Sequence, residues 1–140
     1  AVRALGLRQA GGGLLPHGTI ACLSGRRIVH LDVDGVDFDL DACYTNLQPI
    51  GFGSYGVVCK ARNSDTHEPV AIKKVGTMFN DLVDTKRLLR EIRVLRCLNH
   101  PCIIHIRDLF PNTNSAAEFE DVYIVSELMD TDLHRIIFAP

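Results

Sequence analysis

The stretch Ile50-Gly51-Phe52-Gly53-Ser54-Tyr55-Gly56-Val57-Val58 constrains this chain more than any other. Its glycines follow the spacing G-x-G-x-x-G, which occurs in several phosphate-binding loops and also in plain glycine-rich turns. The residues that come next narrow the choice. In a dinucleotide-binding βαβ unit the third glycine opens a helix, and an acidic residue follows about 20 positions later at the end of a second strand. Here Gly56 leads into Val57-Val58-Cys59, whose β-branched residues favour extended backbone. The glycines are therefore expected in the turn of a hairpin, where backbone N–H groups free of side chains can close over phosphate oxygens. Taken alone, the pattern fits a bare turn equally well.

Further segments add to it. Val70-Ala71-Ile72-Lys73 reads as a short apolar strand ending in a lysine. Its ammonium can meet phosphates as a point charge, although a strand-end lysine is ordinarily a surface residue. Residues 81–98 have helical spacing, with Leu88, Ile92 and Leu95 on one stripe. Asn80 or Asp81 suits the N-cap, and Asn99-His100-Pro101 stops the helix. Glu91 lies beside the stripe, at the core edge, where a carboxylate needs a cationic partner. Lys73 is one candidate; Arg87 and Arg90 on the helix surface are the others. Cys102-Ile103-Ile104-His105-Ile106 and Val122-Tyr123-Ile124-Val125 read as buried strands separated by a polar loop. Thr131 or Asp132 is placed to cap a last helix running through Ile137.

Upstream of the glycine loop the chain changes character twice. Residues 1–25 carry six of the 11 glycines, including Gly11-Gly12-Gly13, and are expected to form a flexible leader. Residues 26–43 form an acidic strip. No acidic residue precedes Asp32; then Asp32, Asp34, Asp37, Asp39 and Asp41 follow closely. Val29, Leu31 and Val33, then Val36, Phe38 and Leu40, alternate with polar residues on either side of Asp34-Gly35, which predicts a β-hairpin with one buried face. A calcium loop would need a further ligand before its glycine, a closing glutamate and flanking helices, and the strip has none of these.

Composition excludes some functions. A formal charge of −2 is not that of a basic nucleic-acid binder. No apolar run approaches the roughly 20 residues a spanning helix requires, so no membrane partner is expected. Cys22, Cys43, Cys59, Cys97 and Cys102 are odd in number and have no C-x-x-C spacing, which predicts free thiols in a reducing compartment, the cytoplasm or nucleus.

A glycine loop, Val-Ala-Ile-Lys and a helix glutamate, in that order, form the first half of the protein-kinase signature set. Tyr44-Thr45-Asn46-Leu47, Leu89-Arg90-Glu91-Ile92, Asp121–Val125 and Leu128-Met129-Asp130-Thr131-Asp132-Leu133 resemble a mitogen-activated protein kinase more closely still. Val33–Leu40 is similar to the extra N-terminal hairpin these kinases carry. The resemblance covers about Leu31 to Pro140. It implies an α+β kinase small lobe: a twisted antiparallel sheet of about five strands with one regulatory helix, preceded by a hairpin and a flexible tail. Residues 44–140 would be the small lobe and hinge of the kinase domain.

The resemblance also implies roles. Gly51, Phe52, Gly53, Ser54, Tyr55, Gly56 and Val57 would form the loop over the ATP phosphates, with the Phe52 side chain pointing outward. Lys73 would hold the α- and β-phosphates and pair with Glu91. Ile50, Val58 and Ala71 would roof the adenine. Ser126 would sit at the inner wall, at the position called the gatekeeper, and its small side chain departs from the bulkier residues associated with the family. Backbone groups of Glu127 and Met129 would bond the adenine edge, and Asp132 would reach the ribose. Mg²⁺ would accompany ATP, on ligands from the family's catalytic loop and its Asp-Phe-Gly. Neither motif occurs in these 140 residues. His105-Ile106-Arg107-Asp108-Leu109 mimics the catalytic loop, but it precedes the hinge and puts Thr113 where an asparagine belongs. The implied partners are protein substrates and an upstream activating kinase. The chain alone is expected to be inactive; the alternative function is a truncated lobe acting as a binding or competitor module.

Overall fold

The computed structural model describes residues 7–8, 14–15, 19–23, 26–53, 56–76, 81–112 and 120–138. Ser54 and Tyr55 lie outside them, as does most of the leader. The elements run β1 (Leu7–Arg8), β2 (Leu14–Leu15), β3 (Thr19–Leu23), β4 (Arg26–Val33), β5 (Val36–Asp41), β6 (Tyr44–Gly53), β7 (Gly56–Asn63), β8 (Pro69–Gly76), α1 (Leu82–Cys97), β9 (Ile106–Pro111), β10 (Asp121–Glu127) and α2 (Leu133–Ile137). The expected α+β lobe is present. Its centre is a five-stranded antiparallel sheet in the order β6-β7-β8-β10-β9.

The acidic strip folds as the hairpin β4–β5, with Val33 opposite Val36 and a two-residue turn between them. Asp34 and Gly35 both take positive φ, 52° and 82°, the backbone that a tight turn between right-twisted strands demands. Three of the five carboxylates are occupied by protein partners: Asp32 accepts from the Gly35 N–H, Asp39 meets the His30 ring, and Asp41 accepts from the Cys43 N–H. A third strand, β3, pairs with β4, so the hairpin is part of a three-stranded sheet. Reading residues 1–25 as glycine-rich gave no sign of that strand.

Successive residues of a strand point to opposite faces, and this divides the lobe. On one face Val70, Ile72, Tyr123 and Val125 join Leu31, Phe38 and Leu40 of the small sheet in one buried cluster. On the other, Val75, Val122 and Ile124 pack on Leu88 of α1, with Ile92 partly buried beside them. Asp81 is the cap of α1, its carboxylate accepting from the N–H groups of Val83 and Asp84. Among α1 residues only Leu88 is buried.

One strand reading is corrected. Cys102–His105 is not a strand: the Ile103 N–H bonds the His100 carbonyl and the Cys102 N–H bonds His100 Nδ1, which makes a turn. The strand starts at Ile106, inside the segment that mimics a catalytic loop. Its inward-facing residues include Asp108, and a charged residue on the core side hides the alternation that marks a strand. Arg26 satisfies that carboxylate with two bonds, at 2.5 and 2.9 Å, and the Tyr44 hydroxyl donates a third at 2.9 Å. The Arg26 guanidinium also lies 5.1 Å from the centre of the Phe110 ring. Burial by itself would raise the Asp108 pKa, but these donors and the Leu109 N–H hold it below the ordinary carboxylate range. Asp108 is therefore an anchor between the small sheet and β9.

Candidate functional site

A cleft of about 680 Å³ opens between β6, β7, β8 and the segment that follows β10. Ile50, Val58, Ala71, Lys73, Ser126, Glu127, Met129 and Asp132 all line it. The resemblance implied a shared site for all eight of these residues, and the fold brings them to the lining of one cleft. The volume falls within the range of about 300–1,000 Å³ usual for small-molecule sites.

The pairing of strands explains the convergence. Val58 is opposite Lys73 in the β7–β8 ladder, and Ala71 is opposite Ser126 in the β8–β10 ladder. Period-two alternation then turns Val58, Ala71, Lys73 and Ser126 toward the same side. Near β6 and β7 the cleft is lined by Pro49, Ile50 and Val58 together with Lys60, and Lys73 adds the cation that Glu91 of α1 meets. Phe52 is 66% exposed and does not line it, as the outward reading required.

The glycines of the loop serve different purposes. A Cβ on Gly51 would meet nothing within 4 Å, so the backbone there is open to an approaching group. Gly56 is fixed by the fold itself. Its φ is +132°, and a Cβ would fall 1.8 Å from the Lys74 carbonyl oxygen, so no side chain can stand there. Gly53 pairs with Gly56 across the turn.

Lys73 Nζ is 3.4 Å from Glu91 Oε1. Glu91 thus pairs with the strand lysine and not with a neighbour on its own helix: Arg87 is taken by Asp84 at 3.2 Å, and Arg90 forms no ion pair among the described residues. The pair is solvent-accessible, with the side chains 29% and 48% exposed, so it contributes little to stability. A contact of that kind can be made and broken at small cost.

At the end of β10, the Ser126 hydroxyl donates to the Glu127 carbonyl, and the Glu127 carboxylate accepts from the His105 N–H. Asp132 caps α2 by accepting from the Arg135 N–H at 2.8 Å while still lining the cleft. A carboxylate has lone pairs for both uses. Sequence reading missed Lys60, Ile104 and Arg135, which also line the cleft. Lys60 was recoverable, since it follows Val58 by two residues and shares its face; Arg135 sits one helical turn from Asp132.

The thiols take no part in this site. Burial pushes Cys43 up to about 12 and Cys59 to about 11, and no disulfide joins the described cysteines. No group of three or more His, Cys, Asp or Glu residues arranged to hold a metal occurs among the described residues. Among them, too, no helix is long and apolar enough to cross a membrane.

An antiparallel five-stranded lobe, with a glycine-rich hairpin whose strands border a cleft and a strand lysine paired to a helix glutamate, is the architecture of one family. Residues 44–139 match the protein kinase domain, and the chain belongs to the protein kinase family. Its likeness to the mitogen-activated kinases within that family is as close as the motifs suggest. It is 53% identical over 108 residues to extracellular signal-regulated kinase 1 of Dictyostelium discoideum, covering 77% of this chain and 20% of that protein. It is 49% identical over 114 residues to mitogen-activated protein kinase 6 of Arabidopsis thaliana, covering 81% and 29%. It is 45% identical over 129 residues to mitogen-activated protein kinase 1 of Oryza sativa subsp. japonica, covering 91% and 32%. The chain thus spans between a fifth and a third of the length of these curated relatives.

Proposed function

We propose that the chain is the ATP-binding lobe of a serine/threonine kinase of the mitogen-activated type. In the whole protein it would help transfer the ATP γ-phosphate to Ser or Thr of protein substrates, under the control of an upstream activating kinase in the cytoplasm or nucleus. The observation that carries this reading is the meeting of three independent sequence signals at one cleft: Ile50 and Val58, which flank the glycine loop; Lys73, which Glu91 meets at 3.4 Å; and the Ser126–Asp132 segment.

The residues fit ATP. Ile50, Val58 and Ala71 offer apolar contact to the adenine, and backbone groups of Glu127 and Met129 can bond its edge. Asp132 is placed for the ribose. The open backbone over Gly51 can approach the phosphates, and Lys73, oriented by Glu91, opposes their charge. ATP supplies the transferable phosphoryl group; these residues bind and orient it. Mg²⁺ ligands belong to motifs that the 140 residues do not contain, so this chain's contribution is positioning.

Titration of ¹⁵N-labelled chain with ATP tests the reading. Amide shifts are expected at Gly51, Ala71, Glu127 and Met129, with β4 and β5 unmoved and with the response lost in Lys73→Met. Shifts concentrated on the acidic hairpin would contradict it. The chain alone is expected to turn over no ATP above blank, and turnover that Lys73→Met abolishes would overturn that.

A further inference from the structure

Lys74 occupies a crossing point that the ATP site does not use directly. It follows Lys73 in β8 and therefore points to the opposite face of the sheet. There its ammonium is 2.9 Å from the Asp121 carboxylate, with both side chains only 16% exposed, and it also donates to the Asp37 carbonyl of β5. It lies 5.8 Å from the centre of the Phe38 ring and 6.0 Å from that of Tyr123, within reach of the negative ring faces. Gly76 admits this arrangement, because a Cβ there would fall 2.5 Å from Asp121 Oδ1.

The backbone of Lys74 touches the other device. Its carbonyl oxygen is the atom that a Cβ on Gly56 would strike, so the third glycine of the loop is seated directly on it. One residue thus has its side chain fixed by the small sheet, its carbonyl under the end of the glycine turn, and its N-terminal neighbour in the cleft. The surroundings on the far face are two-point and directional: a carboxylate from β10 and a carbonyl from β5 define where the ammonium sits, and the Phe38 and Tyr123 rings flank it.

We infer that Lys74 is a positioning residue for the nucleotide site, coupling the docked N-terminal sheet to the setting of both Lys73 and the glycine turn. The inference rests on the ATP reading above. If the ammonium loses its partners, β8 keeps its ladder bonds but loses the anchor that fixes its rotation and its contact with Gly56. Lys73 then samples more positions relative to Glu91. The small sheet becomes a brace whose attachment is felt on the opposite side of the lobe, through a single pair of adjacent residues.

The test uses the 140-residue chain and an adenosine carrying a sulfonyl fluoride, whose sulfur is attacked by the Lys73 amine with loss of fluoride. The rate of modification at Lys73 is read by peptide mass spectrometry. Wild type should be modified at Lys73 and protected by ATP. Lys74→Met, which keeps the apolar stem, should slow this by about tenfold, Lys74→Arg should restore it to within about twofold, and Asp121→Asn should slow it by about threefold. Leu40→Val, which loosens the same small sheet without touching Lys74, serves as the stability-matched control and should be modified at the wild-type rate. If Lys74→Met does not fold, Asp121→Asn and Lys74→Arg carry the test. Modification of Lys74→Met at the wild-type rate, or equal slowing of Leu40→Val, overturns the inference. Absence of ATP-protected modification in wild type would instead overturn the ATP reading, and this inference with it.

Discussion

The two faces of the central sheet are built to different standards. On the face covered by β4 and β5, Phe38, Leu40, Ile72 and Val125 have no exposed surface, and charged groups that enter are matched, Arg26 with Asp108 and Lys74 with Asp121. On the face covered by α1, the helix buries only Leu88, and the Lys73–Glu91 pair lies partly in solvent. The first face is closed; the second carries an open cleft lined by Lys73. The difference teaches where stability and function separate in this lobe: a mutation on one side should cost folding, and on the other it should cost binding.

The largest expected effect lies on the closed face. Phe38→Ala should destabilise the chain by about 4 kcal/mol, whereas Leu88→Ala should cost about 2 kcal/mol because the site at α1 is only partly enclosed. Urea unfolding of both variants gives the comparison, and equal losses would erase it. Next comes the Arg26–Asp108 anchor. Asp108→Asn should cost about 2 kcal/mol at neutral pH, since it leaves a half-buried guanidinium with a weakened partner.

That anchor has a pH signature. The folded pKa of Asp108 lies below its ordinary value of 3.8, so its contribution is fully present above that pH and is lost as pH falls through the lower folded value. Wild type should therefore lose stability in acid more steeply than Asp108→Asn, as seen by thermal melts between neutral and strongly acid pH. Parallel acid curves would mean that the anchor does not titrate as its partners dictate. The smallest effect on folding belongs to the open face: Glu91→Gln should change stability by less than about 0.5 kcal/mol, while weakening the ATP-induced shifts around Lys73. A large stability loss there would place Glu91 on the wrong side of the comparison.

Much of the open face was legible in the sequence, because its residues announce themselves locally. The glycine spacing, the β-branched run after Gly56, the Val-Ala-Ile-Lys strand and the i, i+4, i+7 stripe of α1 are each readable within about ten residues. The pairing of Lys73 with Glu91 was one of several options, and only the packing of α1 on β8 decided it. The closed face was less legible. Asp108 read as part of a decoy catalytic motif, and its partners Arg26 and Tyr44 are 82 and 64 residues away in sequence. Nothing in the sequence singles out Lys74, whose partners Asp121 and the Asp37 carbonyl come from β10 and β5. Long-range ion pairs leave no periodic trace, so sequence reading picked out residues that line the cleft and missed the Arg26–Asp108 and Lys74–Asp121 pairs.

Native-state hydrogen exchange tests the contrast between the faces most directly. Amides of β4, β5 and the centre of β8 should exchange only through global unfolding, whereas those of α1 beyond the turn held by Leu88 should exchange through local opening at far lower free energy. Addition of ATP should slow exchange in the glycine turn and α1 and leave β4 and β5 unchanged. Protection of α1 equal to that of β5 in the free chain, or ATP protection falling on the hairpin, would contradict the account.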